Sequence, residues 1–313
     1  LKRPARQIRL EPWQRNLLTI VGAELVAILG FSISNPFMAF YIQELGVTEF
    51  AEVAFWVGVI NSAPAIALAL SAPFWGLLAD RYGRKPMLVR AMLGGTVMLG
   101  LLSASANVYQ VAILKTIQGG LTGTIAAATT LVATVVPRDR CGYALGLLTT
   151  AVAAASSLGP SLGGLIGGTL GYRAAFLVSA VLLLTAGILV IFLVHEEFVP
   201  PPPRQRRDNG LVAAARSLLA EPVLLTMVAL LMLYYLSGSI ATPVLPLYVQ
   251  TLVGSAREAS TATGMILGVA ALTNALAAVL FGRSADQLGH RRVLLASLSL
   301  ASLTSFPQAL TRH

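Results

Sequence analysis

The sequence predicts an all-α integral membrane protein: a complete six-helix N-terminal bundle followed by a partial C-terminal one. Three observations carry that prediction. Composition is the first: 56% of the 313 residues are hydrophobic and 11% charged, with mean hydropathy +0.77, whereas soluble domains carry about 25% charged residues. The second is a series of nine apolar runs, each long enough to cross a bilayer. The third is an internal repeat: stretches near residues 40 and 80 recur 206 or 207 residues later.

A helix needs about 20 apolar residues to cross the hydrocarbon. The candidate spans are 16–40, 52–78, 87–106, 109–136, 141–168, 173–194, 222–250, 261–281 and 292–310. Transmembrane β-strands are segments of about 10 residues that alternate in polarity. These runs are longer and do not alternate, and a helix satisfies its own backbone hydrogen bonds in lipid. The first span carries Glu24 and Asn35 and reaches Pro36 near its end. Pro64 and Pro73 fall in the second, Pro160 in the fifth and Pro243 in the seventh, where each should kink its helix.

Lys and Arg set the orientation. The tail 1–15 holds Lys2, Arg3, Arg6, Arg9 and Arg15. The second loop holds Arg81, Arg84, Lys85 and Arg90, and the fourth Arg138 and Arg140. The sixth holds Arg204, Arg206, Arg207 and Arg216, and the eighth Arg283, Arg291 and Arg292. The alternate loops carry Arg173 and Arg257 alone. The N-terminus and the even-numbered loops are therefore expected in the cytoplasm. On this reading the net charge of +9 records topology, not a nucleic-acid surface.

The stretch "HEEFVPPPPRQRRDNG" at 195–210 has four prolines and a basic cluster and cannot build a core. The expected organisation is thus a cytoplasmic tail 1–15, a six-helix bundle 16–194, a cytoplasmic linker 195–221 and a partial three-helix bundle 222–313. The single cysteine, Cys141, leaves no intrachain disulfide framework and no cysteine metal cluster. No nucleophile, metal or phosphate-loop constellation is present, so neither an enzyme nor a cofactor is expected.

The repeat is specific. "PFMAFYIQEL" at 36–45 and "PVLPLYVQTL" at 243–252 share Pro, Tyr, Gln and Leu at matching offsets. "GLLADRYGRK" at 76–85 and "GRSADQLGHR" at 282–291 share Gly, Ala, Asp, Gly and a basic residue. Six spans separate equivalent points, and an even number preserves direction. The halves are therefore parallel repeats about an axis along the membrane normal. That architecture implies six plus six helices, of which the second half reaches its third. The missing three are expected to reflect a fragment, a frameshift or a short protein in its own right.

The 76–86 stretch reads as a latch. Gly76 permits close helix contact, and Gly83 permits the positive φ of a tight turn. Asp80 can accept from amides at a helix N-terminus. Arg81, Arg84 and Lys85 supply cations that grip a carboxylate or a lipid headgroup. Gly282, Asp286, Gly289 and Arg291 are the corresponding residues of the second copy.

These two stretches resemble the signature loop of the major facilitator superfamily and its counterpart between helices 8 and 9. The resemblance implies a major facilitator-type bundle in which the loop gates alternating access. It places Asp80 against the start of helix 11, which this chain does not contain, and Asp286 against the start of helix 5 near Arg140–Tyr143. "AASSLGPSLGGLIGG" at 154–168 contains Gly159, Pro160, Gly163 and Gly164. It is similar to the antiporter motif of helix 5 in the twelve-helix drug:proton antiporters. Physically, Ala155, Gly159 and Gly163 form a small-residue stripe that lets a partner helix approach closely. "LKTIQGG" at 114–120 resembles the helix 4 pattern Arg-x-x-Gln-Gly, with Lys115 in place of Arg. The cation is kept and the bidentate fork is lost.

An ionisable residue inside a span is costly and marks function by default. Two lie well inside, Glu24 and Lys115, on helices that are neighbours in the resembled fold. Glu24 is the expected proton carrier, with Lys115 beside it. Asn35, Tyr41, Asn61, Gln118 and Tyr234 are expected to line the substrate cavity. The function expected is proton-coupled efflux of hydrophobic or cationic drug-like compounds from a cell (inner) membrane. Its partners would be a small-molecule substrate, protons and the lipid bilayer, with no nucleic acid, the protein being a monomer if full length. The alternatives are a carrier of a polar metabolite or sugar, or an inactive truncated remnant.

Overall fold

The apolar runs fold into helices, because a chain in lipid must close its backbone hydrogen bonds within each segment. The computed structural model describes residues 11–198, 222–288, 295–297, 299, 300 and 303. The helices are α1 (Pro12–Ser34), α2 (Met38–Glu44), α3 (Phe50–Tyr82), α4 (Arg84–Ser103), α5 (Val108–Leu121), α6 (Thr124–Val135), α7 (Cys141–Leu170), α8 (Tyr172–Leu193), α9 (Pro222–Val253) and α10 (Ala256–Leu288). Short 3-10 turns at Asn35–Phe37 and Arg138–Arg140 join α1 to α2 and lead into α7.

Among the described residues, six stretches are long and apolar enough to cross a membrane: Pro12–Glu44, Phe50–Tyr82, Arg84–Ser103, Val108–Val135, Arg138–Leu170 and Tyr172–Leu193. They coincide with the first six predicted spans. The helices α9 and α10 cover the seventh and eighth. Most of the ninth run, 292–310, lies outside the described residues, as do Gly289 and Arg291.

One local result differs from the reading of the sequence. The expected continuous helix 109–136 is broken at Thr122–Gly123, where Gly123 takes the left-handed φ of +114°. A side chain would strain that conformation, so the glycine permits the break. Pro64 and Pro73 lie inside α3, Phe50–Tyr82. Tight turns at Gly83 (φ +97°) and Gly171 (φ +86°) connect α3 to α4 and α7 to α8.

The chain divides into two units, Leu1–Met265 and Ile266–His313. In the first, α1 packs against α7, α8 and α6, α4 against α8, and α3 against α5. Its apolar interior has two centres. One gathers Leu17, Ile20, Leu88, Met92, Leu131 and Val190, toward the end of the bundle that carries the Gly83 turn. The other gathers Phe37, Phe40, Tyr41, Leu99, Leu102 and Phe176 at the opposite end. The second unit is helical in its described parts.

Candidate functional site

The 76–86 loop is built around a glycine turn. The helix α3 ends as the Gly83 amide donates to the Ala79 carbonyl at 3.0 Å, and α4 begins at the next residue. Asp80 accepts from Arg84 Nη2 at 3.2 Å, one helical turn on, and its side chain is 58% exposed. Asp80 therefore does not supply the anion at the start of α4. Glu196 does, from just beyond α8: its Oε1 accepts from the Arg84 amide at 2.9 Å and its Oε2 from the Lys85 amide at 2.7 Å.

The clasp is reciprocal. Lys85 Nζ donates to the carbonyls of Ile191 and Val194, both at 2.8 Å, where α8 ends. An anion meets the positive end of one helix and a cation the negative end of the other. Asn16 joins the strap by exchanging two hydrogen bonds with the His195 backbone, at 2.7 and 3.0 Å. The Arg84 guanidinium sits 6.0 Å from the Phe198 ring centre, and Arg81 lies over Tyr82. Gly83 has a steric reason to lack a side chain, since a Cβ there would lie 2.9 Å from Glu196 Oε2.

Gly76 behaves otherwise than expected. A Cβ at Gly76 would meet nothing within 4 Å, so among the described residues it holds no close helix contact. Of the second loop copy, Gly282 and Asp286 fall in the last turns of α10.

The Gly-Pro-x-x-Gly-Gly stripe packs as its small residues suggest. Added Cβ atoms at Gly159 and Gly163 would collide with the backbone of α1, at Ser32 and Ile33 respectively. At Gly164 one would lie 2.8 Å from the Gly264 Cα and 2.7 Å from the Ser260 carbonyl. Ser260 Oγ donates to the Gly164 carbonyl at 3.3 Å. The helix α7 thus holds α1 on one side and the first turns of α10 on the other. Pro160 sits inside α7, which remains one helix from Cys141 to Leu170.

Glu24 and Lys115 are both buried but are not paired. Lys115 Nζ donates to Asn35 Oδ1 at 2.9 Å, in the 3-10 turn that follows α1. Gln118 lies one turn further along α5, buried, with no partner in hydrogen-bonding geometry for its Nε2. Glu24 is fully enclosed on α1. Neither of its carboxylate oxygens has a partner in good geometry, and the Thr124 hydroxyl is the polar group beside it. The expected Glu24–Lys115 pair is replaced by two separate sites, with Lys115 on Asn35 and Glu24 beside Thr124.

The remaining cavity candidates divide. Tyr41 is buried and donates from its hydroxyl to the Leu102 carbonyl at 2.7 Å, which ties two helices together and uses its one donor. Asn61 faces outward and donates to the Val57 carbonyl of its own helix at 2.8 Å. Tyr234 lies within α9. Asn35, Lys115 and Gln118 are the candidates that come together.

The sequence reading missed Arg90 by assigning it to a loop. It lies within α4 with its guanidinium 3.5 Å from the Trp75 ring centre. Its Nη2 donates to the Thr122 carbonyl at 3.5 Å, while its Nε and Nη1 are buried without partners. Its place inside the 87–106 apolar run was the available signal.

A family model described as Major Facilitator Superfamily matches residues 20–312. Multidrug resistance protein MdtG of Rahnella sp. (strain Y9602) is 35% identical over 301 residues, covering 96% of this chain and 72% of that protein. Multidrug resistance protein MdtG of Proteus mirabilis (strain HI4320) is 32% identical over 305 residues, covering 97% and 75%. The crystal structure of a D-xylose-proton symporter superposes with a TM-score of 0.59 at 16% identity, covering 87% of this chain and 69% of that one.

Proposed function

The chain belongs to the major facilitator superfamily, matched over residues 20–312, and from that premise we propose that it exports hydrophobic or cationic drug-like compounds in exchange for protons. It is a multi-pass membrane transporter of small molecules. The efflux reading is supported by 35% identity, along 96% of this chain, to a protein named for multidrug resistance. The Gly159–Gly163 seam of α7 on α1 supports it too, because a glycine-lined crossing gives a tight seal beside the transport path.

Proton coupling is carried by one observation: Glu24 is fully enclosed by protein and neither of its oxygens is partnered. A carboxylate in that state is costly, and taking up a proton relieves the cost. Glu24 is the residue that exchanges a proton between the two sides as the bundle alternates. Asn35, Lys115 and Gln118 form the polar floor against which a substrate is oriented. The Gly83 turn and the linker face the cytoplasm, in keeping with the excess of Lys and Arg at that end. The protein uses no catalytic chemistry of its own and, if full length, acts as a monomer.

The test uses the full chain in proteoliposomes. Wild-type protein extrudes a lipophilic cation when a proton gradient is imposed, and Glu24→Gln does not. Equal export by the two would remove Glu24 from the coupling mechanism.

A further inference from the structure

The fourth span is interrupted inside the bundle, and each side of the interruption has a charged residue at it. The helix α5 stops at Leu121 and α6 starts at Thr124. Backbone groups freed by a break in lipid are costly unless something else satisfies them. On the α5 side two carbonyls are met from other helices. The Gly120 carbonyl accepts from Trp75 Nε1 at 2.6 Å, and the Thr122 carbonyl from Arg90 Nη2 at 3.5 Å. A cation therefore stands at the negative end of a helix, where the dipole favours it.

The α6 side lacks the equivalent. Its N-cap is Gly123, and no side chain caps the helix. The amides of a first helical turn have no partner within the helix. Thr124, the first residue of α6, is buried, and beside its hydroxyl lies the fully enclosed, unpartnered carboxyl of Glu24. An enclosed carboxyl and an uncapped helix start thus meet at Thr124. The helices packed against α1 carry their ionisable groups in terminal turns: Cys141 and Tyr143 on α7, Tyr172 and Arg173 on α8, and none on α6. Arg90 lies across the break on α4, and Lys115 is held by Asn35.

We propose that this interruption is the second half of the proton site. When the O–H bond of Glu24 breaks and its proton passes to water on the open side, the Thr124 hydroxyl and the first-turn amides of α6 receive the carboxylate. Arg90 and Trp75 hold the other lip of the break, so the receiving helix start stays in place. Thr124 is a positioning residue, and its role rests on the reading of Glu24 as the proton carrier.

Difference infrared spectroscopy of the full chain in proteoliposomes tests this, with export of a lipophilic cation measured on the same preparation. The C=O stretch of the protonated Glu24 carboxyl is the band that disappears in Glu24→Gln. Thr124→Val makes that band persist to higher pH, because the carboxylate has lost a donor that receives it, and lowers proton-driven export roughly tenfold. Thr124→Ser restores both, and Thr124→Ala repeats the loss with a smaller side chain. A band lost at the same pH in Thr124→Val and Thr124→Ala as in the wild type overturns the proposal, as does the absence of any band sensitive to Glu24→Gln. Proton-driven export surviving in Glu24→Gln overturns the coupling reading instead, a result that the band's pH dependence does not share.

Discussion

The side-chain amide of Gln43 donates to the side-chain oxygen of Gln250 at 3.0 Å, and the two residues are equivalents in the internal repeat, 207 positions apart. The contact joins the end of α2 to α9, far from the Gly83 turn. Leu247 and Val249 of α9 are buried in the same apolar centre as Phe37, Phe40 and Tyr41. Nearby, the Tyr172 hydroxyl donates to the Ala256 carbonyl at 3.3 Å. The bundle is therefore closed at this end by a contact between residues that the duplication made alike. In a transporter that alternates, such a contact has to part when this end opens.

A thiol pair at these positions reports that parting. Gln43→Cys/Gln250→Cys, in a Cys141→Ser background, joins rapidly under a short bifunctional thiol reagent, and the joined protein stops exporting. Cleaving the linker restores export. Joined protein that exports at the unmodified rate would mean that this end stays closed throughout the cycle.

Glu196 gives a second prediction. Its carboxylate holds two amides at the start of α4 while Lys85 holds the end of α8, so removing it uncaps one helix and loosens the other. Glu196→Ala lowers stability by about 1–2 kcal/mol, the usual range for a cap lost from a helix start, read as the midpoint of thermal unfolding in detergent. Glu196→Gln keeps an acceptor and loses less. Asp80→Asn changes stability by under about 0.5 kcal/mol, because its pair with Arg84 is an outward-facing one across the Gly83 turn. Equal losses in Glu196→Ala and Asp80→Asn would contradict the clasp.

Much of the fold was legible because its signals are local and repeated. Six spans follow directly from run length, and the turn at Gly83 from the need for positive φ between two helices. The small-residue stripe of α7 was legible as well, since Gly159 and Gly163 leave no other use for that face than close approach to α1. Partnerships across the bundle were not. Asp80 looked like the anion for a helix start, and at the start of α4 that anion is Glu196, 112 residues from Arg84. Nothing in a linker read as proline-rich and basic announces such a reach. Arg90 was assigned to topology because charge near a loop normally means topology. The break at Gly123 was hidden in a long apolar run, because the donors that meet its freed carbonyls, Trp75 and Arg90, lie on other helices. Lys115 was paired with the wrong group for the same reason: burial is visible in sequence, and the choice of partner is not.

That partner choice yields the last prediction. Lys115 is buried and its Nζ has one hydrogen-bonded side-chain partner, Asn35 Oδ1 at 2.9 Å. Removing the acceptor leaves a buried cation short of partners, which costs about 1–3 kcal/mol. Asn35→Ala should therefore lower the unfolding midpoint clearly. Lys115→Met removes both the hydrogen bond and the buried charge, and these changes largely offset each other, so it should retain the fold while losing export. In the Lys115→Met background, Asn35→Ala should then cost under about 0.5 kcal/mol, because the interaction it removes is already gone. The double-mutant cycle measures that coupling without reference to transport. Additive losses would show that Asn35 stabilises the turn after α1 by itself, and that Lys115 is held by something else.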